Sequence, residues 1–324
     1  MTAQSEAATL PELAGVTDAI RDAVESVIQG KRDVVDTALT VLLAGGHLLI
    51  EDVPGVGKTM LAKALSQAID STMSRVQFTS DLMPSDLTGV SVFNPQTRDF
   101  DFRPGAIFAN VVVGDEINRA SPKTQAALLE CMAENQVTVD GTTYPLARPF
   151  MVIATQNPVE MEGTYPLPEA QRDRFMARIR VGYPSVTDEL AMLDRREGHD
   201  PLDDLSPVTD AKTVLALQQA VRGVYAAPAL KHYLVDLVAA TRAHPAVRLG
   251  ASPRATLALL RASQARAALA GRRHTVPDDV QAVASVVLGH RLMLTVDAQL
   301  SRLSPDTVLS QVLGRVPIPT RADG

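Results

Sequence analysis

The chain has 324 residues, of which 46% are hydrophobic and 21% charged, and its formal net charge is −6. That length and apolar content suffice for two cored domains, and the acidic balance speaks against a strongly basic nucleic-acid surface. A lone cysteine, Cys131, excludes an internal disulfide and a cysteine zinc site; with no apolar run of about 18 residues and no basic-then-apolar N-terminus, a cytoplasmic protein without membrane insertion is expected.

Residues 1–14 are small and polar and read as a tail. Val16, Ile20, Val24, Val27 and Ile28 mark one face of a first helix that ends near Gly30. Residues 31–44 form a second helix, closed by Gly45-Gly46. Next, His47-Leu-Leu-Ile-Glu-Asp-Val-Pro-Gly-Val-Gly-Lys-Thr59 reads as a buried strand running into a Pro/Gly loop, with helical periodicity over 60–69. A strand, a Gly-rich turn, a lysine and a hydroxyl at a helix start form the context that a nucleoside triphosphate needs. Backbone amides of residues 55–59 would wrap the phosphates, helped by the positive end of the helix. Lys58 would neutralise the β- and γ-phosphates, and the Thr59 hydroxyl would ligate Mg²⁺. Pro54, Gly55, Val56, Gly57, Lys58, Thr59 and Met60 make up this candidate loop. The pattern departs from G-x-x-x-x-G-K-[ST] at its first position, where the chain has Asp52. Asp tolerates turn and left-handed geometry better than most residues, so the loop is still expected to form.

A short strand is predicted near 75–78. In the segment 86–102, Val90 and Val92 alternate with polar neighbours, as do Phe100 and Phe102, and residues 94–98 make a turn, which predicts an inserted β-hairpin. Such an insertion has one face to bury, so at least one of Phe93, Phe100 and Phe102 is expected at the surface, where it would anchor a partner; packing of all three onto the core is the alternative. Val111-Val-Val-Gly-Asp-Glu116 reads as a buried parallel strand with two carboxylates at its C-terminal end, where α/β sheets bind ligands. Asp115 would hold Mg²⁺ through water, and Glu116 would act as general base on the attacking water.

Ser121-Pro122 predicts a helix to about 134, with Cys131 as a small core residue. Asp140-Gly141 marks the turn of a second hairpin, and Phe150-Met-Val-Ile-Ala154 is another buried strand. Beyond Pro184 the pattern is of helices without strands, near 187–197, 210–222, 228–243, 252–270 and 277–289. The division expected is a tail over 1–14, an α/β domain over 15–184, a connector with one helix over 185–207, and a helical domain over 208–324.

Taken together, Leu49-Ile-Glu-Asp-Val-Pro-Gly-Val-Gly-Lys-Thr59, Asp86-Leu-Thr-Gly89, Phe102-Arg-Pro-Gly105, Asp115-Glu-Ile-Asn-Arg-Ala120, Ala154-Thr-Gln-Asn-Pro158 and Glu169-Ala170 with Asp173-Arg-Phe175 resemble the AAA+ ATPases, and most closely their MoxR family. The magnesium-chelatase ATPase subunits belong to the same branch. The resemblance implies an α/β P-loop domain with a parallel sheet and inserted hairpins, followed by a smaller all-helical lid. It implies ATP and Mg²⁺ as cofactors. It further makes Asn157 the sensor that orients the attacking water and Arg174 a finger reaching the neighbouring subunit's ATP, with Arg172 as rival. Arg254, in the first turn of a lid helix, matches the sensor-2 position. Gln29 and Gly30 resemble the adenine-holding segment, although a helix-ending glycine accounts equally well for Gly30, and Arg119 is a candidate interface cation.

The function so implied is an ATP-driven homo-oligomer, a hexameric ring, that remodels or matures protein complexes in a chaperone-like way. Its partners would be a von Willebrand A domain protein and protein clients, with the first hairpin passing nucleotide state to them. The alternatives are a chelatase-like motor subunit for metal insertion and a nucleotide-dependent binding switch with slow hydrolysis. A nucleic-acid motor would want a basic channel, which this acidic chain does not offer.

Overall fold

A computed structural model of the chain describes residues 10–53, 55–157, 164–196 and 201–319. Two helices, α1 (Leu10–Val27) and α2 (Arg32–Leu43), precede alternating strands and helices: β1 (Leu48–Glu51), α3 (Lys58–Ala68), β2 (Met73–Gln77) and α4 (Pro84–Thr88). A hairpin of β3 (Val90–Asn94) and β4 (Asp99–Arg103) follows, then β5 (Val111–Asp115) and α5 (Pro122–Glu134). A second hairpin, β6 (Gln136–Val139) and β7 (Thr142–Pro145), leads to β8 (Met151–Gln156), α6 (Glu169–Arg172) and β9 (Ala177–Ile179). Helices then dominate: α7 (Val186–Arg196), α8 (Ala211–Arg222), α9 (Pro228–Ala243), β10 (Val247–Leu249), α10 (Pro253–Leu269), α11 (Pro277–Leu288), β11 (Met293–Leu294), α12 (Val296–Leu300) and α13 (Pro305–Arg315). Among the described residues, no helix is long and apolar enough to cross a membrane.

Five parallel strands form the central sheet in the order β2-β5-β8-β1-β9. Their side chains alternate between two cores, as the period of two in a strand requires. Leu48, Ile50, Val111, Val113, Met151 and Ile153 face one core, whereas Leu49, Val112, Val152 and Ala154 face the other with Phe78 and Phe175. Val111, Val112 and Val113 are fully buried, each worth about 1.5–3 kcal/mol by apolar transfer. The first core continues through α1 and α2 into the C-terminal helices, so Leu39, Leu217, Leu259 and Val283 share one apolar cluster with the sheet.

Several expectations need correction. Helix α1 begins at Leu10, inside the expected tail of residues 1–14, because Leu13 extends the buried stripe of Ile20 and Val24; residues 1–9 lie outside those described. Strand β9 was not anticipated; three residues are too few to show a period. The C-terminal region, read as free of strands, holds a short antiparallel ladder of β10 and β11. Helix α13 was also missed, although Ser304-Pro305 carries the cap-plus-proline signature that marks α5 and α10, and the Ser304 hydroxyl accepts from Thr307 N–H.

Both hairpins are present. Asp140 (φ 49°) and Gly141 (φ 79°) are both left-handed, as a type I′ turn demands. In the first hairpin Phe93 and Phe100 pair across the strands, edge to face, and both are exposed. Phe102 instead stacks on Tyr144 of the second hairpin at 3.9 Å. Two of the three rings are thus at the surface.

His47, just before β1, is fully buried: Nδ1 accepts from Val152 N–H (3.0 Å), and Nε2 lies 3.1 Å from the Met132 carbonyl, to which it donates. Burial lowers its pKa from 6.5 to about 4. Unfolding therefore takes up a proton between those values, so stability is complete above pH ~6.5 and falls as pH drops toward 4, by about 3 kcal/mol in all. His290, buried in the same way and also lowered, adds a loss of the same sign. The urea midpoint is expected to fall between pH 7 and pH 5, and His47→Asn to flatten that slope. An unchanged slope in the variant would assign the effect elsewhere.

Candidate functional site

The ends of β1, β5 and β8 lie side by side at the C-terminal edge of the sheet, because β8 sits between the other two. From β1 the chain turns through Gly55 (φ 83°) and Gly57 (φ 86°) into α3. A Cβ placed on either glycine would meet no protein atom within 4 Å, so the requirement there is the left-handed backbone, not space. Gly57 caps α3 with no side-chain cap bond and no acidic residue follows in the first turn, which leaves an N-terminus suited to an anion. Lys58 Nζ donates to the Asp52 carbonyl (2.8 Å). Burial lowers the Lys58 ammonium below its ordinary value, while the charges of Asp52, Asp115 and Glu116 oppose that shift.

The loop forms with Asp52 at the first motif position, and Asp52 itself stays outside the left-handed region. It is buried, and its carboxylate accepts from Val53 N–H (2.8 Å) and Gly182 N–H (2.5 Å). The side chain thus ties the loop to the segment after β9, a role that local sequence did not reveal. Pro54 lies outside the described residues.

Asp115 is buried at the end of β5, and its Oδ2 lies 3.5 Å from the Thr59 hydroxyl and accepts from Arg75 Nε (2.7 Å). Thr155, on β8, donates to Asp115 Oδ1 (3.4 Å) and accepts from Glu116 N–H (3.0 Å). Glu116 stands in the left-handed region (φ 58°), a strained state for a non-glycine residue. Its Oε2 accepts from Gln77 Nε2 and from Arg119 Nη1, both at 2.9 Å. Arg119, a candidate interface cation, thus bonds Glu116 of its own chain. Arg75, Gln77 and Thr155 were not singled out from sequence as site residues; Thr155 stands two residues before Asn157 in the quoted string Ala154-Thr-Gln-Asn-Pro158.

A cavity of about 550 Å³ opens at the loop, within the usual size range of ligand pockets. Gln29, residues 55–60 and, from α7, Asp188, Glu189 and Met192 line it. Gly30 is not in its wall. It takes a left-handed turn after α1 (φ 67°), and that backbone is what favours glycine there, since the nearest atoms to a Cβ would be those of the Asp188 carboxylate, which can move aside. The free backbone cap, the Thr59 and Asp115 oxygens and this cavity fit a nucleotide with Mg²⁺.

Asn157 is buried directly after β8, one residue beyond Gln156, which pairs with Glu51 at the end of β1. Arg174 and Arg254 are outside the cavity wall; each lies within two residues in sequence of a carboxylate–hydroxyl contact, Asp173 with Ser252. Arg174 is half-buried, and its Nη1 donates to the Leu129 carbonyl of α5. Arg172 is likewise half-buried, with Nε making no hydrogen bond to the described residues. Arg254 is exposed in the first turn of α10. Cys131 is buried and its thiol is pushed up to about 12 by desolvation, so it is a core residue.

Residues 47–177 match the model of the ATPase family associated with various cellular activities, and residues 239–312 match that of the AAA lid domain. The chain is 49% identical over 298 residues to the uncharacterized protein YeaC of Bacillus subtilis, covering 92% of this chain and 93% of that one. It is 41% identical to Chaperone MoxR1 of Mycobacterium tuberculosis, covering 91% and 80%, and 32% identical to Protein MoxR of Paracoccus denitrificans, covering 84% and 87%. A crystal structure of a candidate ATPase from Cytophaga hutchinsonii superposes with a TM-score of 0.90 at 36% identity, over 96% of this chain and 97% of that one. An MCM homolog from Methanopyrus kandleri shares the fold, with a TM-score of 0.58 at 18% identity over 90% and 64%.

Proposed function

The chain belongs to the MoxR family of AAA+ ATPases, and from that footing we propose that it binds ATP in the cavity after β1 and hydrolyses it at the interfaces of a homo-oligomeric ring, hexameric in its closed form. The observation that carries this reading is an uncapped helix N-terminus whose Thr59 hydroxyl lies 3.5 Å from Asp115, with Asp115 and Glu116 at the end of β5, one strand removed from β1.

In this reading residues 55–59, Lys58 among them, hold the phosphates, and Gln29 borders the base, with Gly30 turning the backbone behind it. Thr59 and Asp115 are the residues that would hold Mg²⁺, which supplies charge neutralisation on the phosphates when bound. Glu116 takes the proton from the attacking water, and Asn157 orients that water with its amide. Glu116 reaches this role only by exchanging its bonds to Gln77 and Arg119 for one to water. Arg174 of one subunit and Arg254 of the other neutralise the developing charge. Residues 15–184 act as the base and 208–324 as the lid, joined through 185–207.

The work done is remodelling or maturation of protein complexes in the cytoplasm, together with a von Willebrand A domain partner. A relative named as a chaperone supports this, as does the exposed Phe93–Phe100 pair on the first hairpin, an apolar anchor away from the nucleotide cavity. A site shared between subunits has a kinetic signature. Mg²⁺-dependent ATP turnover per subunit is expected to rise with protein concentration until rings saturate, in step with the mass measured by sedimentation. Turnover per subunit that stays constant while the mass changes from monomer to ring would overturn the shared-site reading.

A further inference from the structure

Beneath the segment that carries Arg174 lies a buried arginine from the lid. Arg291 closes the 3₁₀ turn Gly289–Arg291 after α11, with its side chain 3% exposed. Its Nε donates to Asp173 Oδ1 (2.7 Å), Nη2 to the carbonyls of Asp173 (3.2 Å) and Phe175 (2.6 Å), and Nη1 to the carbonyls of Met176 (3.1 Å) and Val287. His290 beside it is held neutral by burial, and its Nε2 lies 3.1 Å from the Phe175 carbonyl. The backbone on both sides of Arg174 is therefore anchored to one turn of the lid.

The other carboxylate oxygen of Asp173 leads elsewhere. It accepts from the Ser252 hydroxyl (2.9 Å), and Ser252 is the N-cap of α10, receiving Ala255 N–H (3.3 Å). Arg254 stands two residues on, close enough to Arg291 to oppose its charge, although burial is the larger cause of the lowered Arg291 pKa. One carboxylate thus joins the Arg174 segment, the Arg254 helix and the 289–291 turn. Stability alone does not call for such an arrangement, because a buried ion pair gains little over apolar residues of the same volume. What it does supply is a fixed relative position for two cations on different elements.

We infer that Asp173 and Arg291 are positioning residues: they lock Arg174 to the lid, so that the lid of one subunit sets the finger offered to the next. This rests on the ring reading above. Lid movement that follows the nucleotide in a subunit's own site, through Arg254, would then be passed to the neighbouring site without a diffusible signal.

The test compares variants at Asp173 and Ser252, alone or mixed with reference variants, by turnover, by binding of a fluorescent ATP analogue, and by ring mass. Asp173→Asn keeps the side-chain shape and weakens the hold on Arg291. Turnover is expected to fall about tenfold to a hundredfold, the usual cost of a slightly misplaced catalytic group, with nucleotide affinity within about threefold. Because the defect would lie in the finger given to the neighbour, mixing Asp173→Asn with Glu116→Gln subunits should restore turnover. The mixture of Arg174→Ala with Glu116→Gln is the reference. Recovery of the reference without recovery of Asp173→Asn overturns this inference alone, whereas no recovery in either overturns the shared-site reading on which it rests. Should Asp173→Asn not assemble, Ser252 supplies the second arm. Ser252→Asn and Ser252→Asp both cap α10, but only the aspartate sets a carboxylate against Asp173. Loss in Ser252→Asp with near-parental turnover in Ser252→Asn supports the inference, and equal behaviour of the two overturns it.

Discussion

Glu116→Gln is expected to bind ATP within about threefold of the parent and to lose about 10²–10⁴ of its turnover, the usual contribution of a positioned general base. The glutamine is isosteric, and its carbonyl oxygen can still accept from Gln77 Nε2 and Arg119 Nη1, the two donors that now hold Oε2. The left-handed backbone at 116, fixed by the Thr155 hydroxyl, does not depend on the carboxylate. The change therefore removes the basicity and the charge paired with Arg119, and leaves the side-chain shape and both hydrogen bonds. Lys58→Ala should behave differently, because in the proposed site Lys58 would meet the phosphates in the ground state: binding itself should be lost. Measured together by fluorescent-nucleotide titration and phosphate release, the pair separates binding from chemistry. Parental turnover in Glu116→Gln would remove the general-base assignment, and ATP binding by Lys58→Ala at parental affinity would remove the phosphate contact.

What the sequence revealed follows from the range of the interactions involved. The residues 47–59 carry their strand, turn and helix signals within one short window, and the structure has the strand, the left-handed glycines and the helix there. Asp140-Gly141 specifies its hairpin for the same reason, since the turn chemistry is local. Val111-Val-Val declares a buried strand, but nothing near it says that β8 lies between it and β1. That order emerged from pairing across the sheet and is what brings Asn157 between the loop and Asp115. Long-range polar ties were the least visible. Asp52 looked like a defect in a motif, and its actual partner, Gly182, is far along the chain. Arg291 sits in an apolar stretch with no motif around it, and its bonds all reach across to residues 173–176 or back one turn. Short segments failed for lack of period: β9 and β11 are shorter than the window in which alternation can be counted.

Arg174→Ala should bind ATP within a few-fold of the parent and lose about 10³–10⁵ in turnover, the range found for arginine fingers. In one subunit the Arg174 guanidinium is turned onto the Leu129 carbonyl of α5, outside the wall of that subunit's own cavity, which is the placement expected of a group destined for a neighbour. A lost carbonyl contact at a half-buried position is a modest defect by itself, so assembly and stability should be near those of the parent. The trans role has a signature that a structural role lacks. When Arg174→Ala and Glu116→Gln subunits are mixed in equal amounts, random assortment gives about a quarter of ring interfaces an intact Glu116 from one subunit and an intact Arg174 from the next. Two inactive preparations should then yield measurable hydrolysis, greatest near equal mixing and falling toward either pure variant. Arg172→Ala, run in parallel, decides between the two arginines, because the residue that does not serve as the finger should leave turnover within a few-fold. No recovery at any ratio, in rings shown to exchange subunits, would place Arg174 in its own subunit's structure and leave the shared site without its cation.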